Sequence, residues 1–198
     1  MSRILLLCAG LLMSGLTFGQ YSLTVSEHAT DIVPGQTTYR VYVDMINPGD
    51  FLSSVYGNEG DPMSFSTSDG FYNDAFGSTV ASGINPAFFG FFPTLEADSW
   101  ITIGIDSQNT GDEVAISTVE DASQPFVASF QSGSAIDGQD IEINTQTGGA
   151  WYVLNGSPNG LPDDDGRVLA LQFTTAGTFS GEMNFQIFEN GDGSTDIR

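Results

Sequence analysis

The chain has 198 residues, with 25 Asp or Glu against four Arg and no Lys, for a formal net charge of −21. A surface this anionic repels nucleic acid and anionic lipid, because phosphate binding draws on Lys and Arg to release counterions, so both drop out as partners. A hydrophobic content of 40% with 15 Phe excludes disorder, which couples high charge to few aromatics.

The first residues, MSRILLLCAGLLMSGLTFGQ, carry Arg3 as a basic n-region, an apolar stretch over residues 4–16 and small residues near Gly19. That pattern predicts a secretory signal peptide over residues 1–20, too short to span a bilayer, and hence an extracellular protein. Cys8 lies inside the removed stretch and away from the cleavage site, so the exported chain carries no disulfide, thiolate nucleophile or cysteine ligand. Loss of Arg3 leaves three Arg against 25 acids, a net charge of −22.

Downstream, period-two alternation dominates. Tyr21, Leu23 and Val25 define one strand face, and Tyr39, Val41 and Val43 another. FLSSVYG from Phe51 follows, then SWITIGID, with Ile101, Ile103 and Ile105 opposite Trp100. VAIST from Val114, IEIN from Ile141 and WYVLNG from Trp151 come next. Leu169, Leu171 and Phe173 share a face in VLALQFTT, as do Met183, Phe185 and Ile187 in EMNFQIF. Turn dipeptides at Pro34, Asn47, Gly148 and Asn155 separate these runs. One short crossover helix is expected in DASQPFVASFQSG, where Pro125 suits a first turn and Gly133 an end. The predicted fold is all-β: a single antiparallel β-sandwich over residues 21–198, Ig-like or jelly-roll-like, with long loops. The end, FENGDGSTDIR, shows no closing strand, so the sequence reads as cut short at its C-terminal end.

NPAFFGFFPTLEADSW raises three readings for Phe88, Phe89, Phe91 and Phe92: membrane tip, ligand platform or core. The nearest downstream charges, Glu96 and Asp98, oppose an anionic membrane, and packing into the core is the favoured reading. Trp100, Trp151 and Tyr152 are the candidate sugar-stacking residues. Asp163, Asp164 and Asp165 in PDDDGR, and Asp192 and Asp196 in ENGDGSTD, are candidate calcium ligands, hard oxygens on tight loops. The second loop does not match the helix-loop-helix calcium pattern: one alignment of it puts Phe188 at the first ligand position, and another leaves Ile197 where the required glycine should stand. Asp50, Asp61 and Asp69 are further edge candidates without a motif. NGS at Asn155 matches a glycosylation acceptor.

The catalytic inventory is thin. His28 is the one histidine, and no Gly-x-Ser-x-Gly elbow accompanies it. Glycosidase chemistry needs only two carboxylates, and Glu96 and Glu142 are candidates that the sequence gives no reason to prefer.

Five stretches, TTYRVYVDMINPGDFLSSVYGN, ADSWITIGID, TVEDASQPFVASFQSGSAI, GGAWYVLNGSPNG and DDGRVLALQFTTAGTFSGEMNFQIFENGDG, together resemble a module of large secreted proteins of marine bacteria and some algae. The resemblance implies an extracellular β-rich domain, often repeated or joined to surface-anchoring modules, and carries no catalytic residues. The expected function is therefore a secreted structural or adhesive module that recognises an extracellular surface component or glycan, with calcium as candidate cofactor. The alternative is a carbohydrate-binding module, with a glycoside hydrolase behind it.

Overall fold

The computed structural model describes residues 21–198, so the signal-peptide expectation lies outside the described residues. Twelve strands run through them: β1 Ser22–Thr30, β2 Thr37–Asp44, β3 Phe51–Gly57, β4 Met63–Thr67, β5 Trp100–Ile101, β6 Ser117–Val119, β7 Ile141–Ile143, β8 Gly149–Tyr152, β9 Arg167–Thr175, β10 Phe179–Glu182, β11 Asn184–Phe188 and β12 Asp196–Ile197. They form three antiparallel sheets, ordered β1-β2-β9-β5, β10-β4-β7 and β12-β11-β3-β8-β6. The all-β, sandwich-like expectation holds.

Alternation places one face of each sheet in a shared core. Val41, Val43, Leu171 and Phe173 come from the first sheet, Met63, Phe65, Ile141 and Ile143 from the second, and Leu52, Val55, Trp151 and Ile187 from the third. At roughly 1.5 to 3 kcal/mol for each large apolar side chain, this burial is the main force holding the sheets together. Trp151 also ties layers by hydrogen bonds: its Nε1 donates to the carbonyls of Thr102 (3.1 Å) and Ala170 (3.2 Å) beside the first sheet.

Several elements differ from expectation. The 121–133 stretch forms only a 3-10 turn, Val127–Phe130, in place of an α-helix. SWITIGID is a strand for two residues, because Gly104 turns the chain away at φ 73, with the carbonyl of Asn159 where a Cβ would stand. The closing residues Asp196 and Ile197 do pair, with Phe188 and Ile187. In β9, Val41 pairs with Leu171 but Tyr42 with Leu169, so Ala170 is an extra, bulged residue. Leu169 therefore leaves the core face that Leu171 and Phe173 share, correcting the face assigned from strict alternation.

Asp50, fully buried, fastens the N-terminal strand to two turns. It accepts from Tyr21 Oη (3.0 Å), the Asn47 amide N–H (2.8 Å) and the Asn190 amide N–H (2.9 Å). Burial pushes its carboxyl up, but these donors outweigh that and hold it below the usual range, while burial and the Asp50 bond push Tyr21 up to about 12.

Candidate functional site

The outer face of the first sheet is where irregular chain, charge and concavity meet. Arg40 and Tyr42 project from β2, and Arg167 and, through the bulge, Leu169 from β9. One end of this face is covered by a segment built almost wholly of 3-10 turns: Ala81–Gly83, Pro86–Phe88 and Pro93–Ala97. Ala81, Ile84 and Leu95 from that segment enclose Trp100 and Leu169 in a second buried cluster. Val80 bridges Ile101, joining the start of the segment to the sheet.

The phenylalanine pairs take opposite sides of this cover. Three residues per turn set Phe88 and Phe91 on one side and Phe89 and Phe92 on the other. The Phe91 and Phe92 amides both donate to the Phe88 carbonyl, at 2.9 Å each. Phe89 and Phe92 pack partly against the second cluster, whereas Phe88 is 49% and Phe91 79% exposed. The core expectation is thus corrected for Phe88 and Phe91. Exposed Phe76 stacks on Phe92 at 4.1 Å between centroids, enlarging the aromatic surface.

The cover is latched by Asp98. Its carboxylate, fully buried, accepts from the amides of Asp74 (2.7 Å) and Ser78 (2.8 Å). Burial pushes Asp98 up to about 7 against the pull of those donors, and the nearby charge of Asp74 adds to the rise. Asp74 in turn accepts from Thr94 Oγ1 (2.6 Å) and Tyr72 Oη (2.9 Å). Both acids are spent on architecture and neither lines a recess.

Where the cover stops, the face is hollow. A recess of about 500 Å³ is lined by Arg40, Tyr42, Asp106, Glu113, Leu161 and Arg167, among others. A smaller one of about 300 Å³ lies toward Phe89, Glu96 and His28, and the two share Arg40, Asp106 and Ser107. Arg40 Nε donates to Gln172 Oε1 at 2.8 Å and its Nη1 to Asp106 at 3.2 Å, with its guanidinium 5.8 Å from the Trp100 ring. Arg167 lies 4.2 Å over the Tyr42 ring and donates to Asp165 at 2.9 Å. Its Nε is buried without a hydrogen-bond partner among the described residues, the Asp163 carboxylate standing 3.7 Å away. His28 lies at the rim, where partial desolvation of its ring and the Arg40 charge lower its pKa.

The residues singled out from sequence scatter. Trp100 and Trp151, both 1% exposed, sit in two different clusters and offer no face to a sugar, correcting that expectation. Tyr152, half-buried on β8, lines neither recess. Asp163 accepts from the amides of Asp165 (2.9 Å) and Arg167 (3.0 Å), so Asp163 and Asp165 serve a turn and Arg167, beside exposed Asp164. Asp192 caps Ser194, and Asp196 accepts from Gln186 (3.0 Å) and Arg198 (2.7 Å). No cluster of three potential metal-binding side chains forms among the described residues. Asp61 accepts from Tyr56 Oη at 3.3 Å, and Glu142, exposed on β7, is not brought to the recess that Glu96 lines. Asn155 is exposed, its amide donating to the Gly191 carbonyl at 3.0 Å.

Arg40, Tyr42 and Arg167 were not singled out from sequence. The available signal was scarcity: a Lys-free chain that spends two of its four Arg on adjacent strands is concentrating its positive charge. Comparison with protein-family models, curated proteins and solved structures gives no match.

Proposed function

We propose that the protein is a secreted structural or adhesive module that acts by surface recognition and not by turnover. The observation that carries this reading is the exposure of large apolar rings: Phe88 and Phe91, on the cover held by Asp98, are 49% and 79% exposed, and Phe76, stacked on Phe92 of that cover, is 62% exposed. Exposing large rings costs solubility, and contiguous exposed apolar surface marks an interaction site. The high negative charge keeps such a protein dispersed until its rings meet an uncharged surface. The resemblance to modules of large secreted proteins and the export signal read from residues 1–20 point the same way.

The test is adsorption of the purified protein to defined uncharged surfaces, followed by quartz-crystal microbalance. A Phe88→Ser/Phe91→Ser variant adsorbs at least about tenfold less while keeping its circular dichroism spectrum. Undiminished adsorption of the variant, or release of sugar products from a polysaccharide film, overturns the reading.

A further inference from the structure

We infer that the larger recess on the outer face of the first sheet is a binding site for an uncharged saccharide, held by Arg40, Tyr42 and Arg167 from the strands and by Asp106 and Glu113 from the loop above them. Three observations converge on it. The first is shape: about 500 Å³ falls within the range of small-ligand pockets. The second is donors without acceptors. Each guanidinium presents five N–H groups in a fixed fork, yet Arg40 makes two hydrogen bonds and Arg167 one.

The third observation is charge, and it selects the ligand. Asp106, Glu113 and Asp163 line the same recess as the two arginines, so no surplus positive charge exists to repay the desolvation of an anion. The net charge of −21 repels one further. A cation meets two guanidinium groups. A polyhydroxylated neutral molecule fits, because each hydroxyl both donates and accepts. Ion pairs such as Arg40–Asp106 (3.2 Å) and Arg167–Asp165 (2.9 Å) expose donors and acceptors side by side, the pattern that adjacent hydroxyls match. Ile105, Leu161 and Pro162 supply apolar lining for the C–H face of a sugar ring. This site is separate from the exposed rings of Phe88 and Phe91, and it rests on the surface-recognition reading only in taking the protein to act by binding.

The experiment is saturation-transfer NMR followed by calorimetry, using neutral di- to tetrasaccharides of gluco, manno, galacto and xylo configuration, each paired with a uronic-acid counterpart. At least one neutral member binds, and its acidic counterpart binds about tenfold more weakly. Arg167→Ala and Tyr42→Ala each lower affinity at least about tenfold, and Arg167→Lys does likewise because a point charge does not replace the fork. Gln108→Trp, on an exposed residue of the recess lining, blocks binding without touching a strand and decides the matter if the Arg167 variants fail to fold. Phe88→Ser/Phe91→Ser leaves affinity unchanged, which separates this site from the adsorptive surface. The inference is overturned by no binding at roughly 10 mM of any neutral member, by stronger binding of the uronates, or by binding that survives Gln108→Trp.

Discussion

The two faces of the β1-β2-β9-β5 sheet are made in different ways. The inner face is closed by other sheets, strand against strand, with alternating Val, Leu and Phe meeting their counterparts. The outer face is closed at one end by 3-10 turns and left hollow at the other. Each face buries a tryptophan to 1% exposure, Trp151 on the inner side and Trp100 on the outer. Regular pairing seals a surface completely, whereas irregular chain seals only as far as it reaches, and its edge becomes a place where polar side chains and solvent meet.

The sharpest way to break this contrast is to truncate both tryptophans. Trp151→Ala removes a ring and a donor shared by two carbonyls, and should cost about 3 to 5 kcal/mol, a large share of a typical domain's stability, measured by urea denaturation. Trp100→Ala should fall at or below the low end of that range, because the turns above it can settle into the space. Its effect should be local. Hydrogen exchange should rise over residues 80–98 and stay unchanged in β3 and β8. Equal global loss in both variants removes the distinction between the faces.

Asp98 tests the latch beneath the cover. Its folded pKa of about 7 stands above the unfolded value of 3.8, so the folded state holds that proton more tightly than the unfolded state. Its contribution is present in full below about pH 4 and is lost as pH rises through about 7. The Asp98 share of stability should therefore decline between pH 4 and pH 8, against the rise contributed by His28 with its lowered pKa, and Asp98→Asn should remove that decline, making stability rise more, or fall less, with pH than in the parent. A slope unaltered by the substitution places the titration elsewhere. At the exposed side of the cover, Phe91→Ser should change stability by less than about 0.5 kcal/mol, in contrast to any ring beneath it.

The smallest effect is expected for calcium. Reaching Asp163 and Asp165 requires an ion to compete with Arg167, so millimolar calcium should raise the unfolding temperature no more than magnesium does. A shift specific to calcium restores the acidic loops as a metal site.

Part of the inner face was legible, because Val41 and Val43 in β2, and Leu171 and Phe173 in β9, alternate with polar or differently placed neighbours and do reach the shared core. The outer face was not. Parity correctly set Trp100 opposite Ile101 and Ile103, but the residues that hide it belong to turns about 5 to 19 positions upstream, with no period to announce them. The spacing of Phe88, Phe89, Phe91 and Phe92 carried the information that only one ring of each doublet is covered, readable once a three-residue turn is assumed. Leu169 was misplaced by a single extra residue, which alternation alone does not reveal. The recess eluded sequence reading because Arg40 and Arg167 come together only through strand pairing.

That extra residue, Ala170, has a consequence for modification of the scaffold. It resets the phase of β9, so the hydrophobic code before it and the code after it are read in separate frames. Position 167 can consequently be rewritten without disturbing Leu171 and Phe173, whereas excision of Ala170 would put Arg167 and Leu169 out of phase with their present pairing and scramble both surfaces at once.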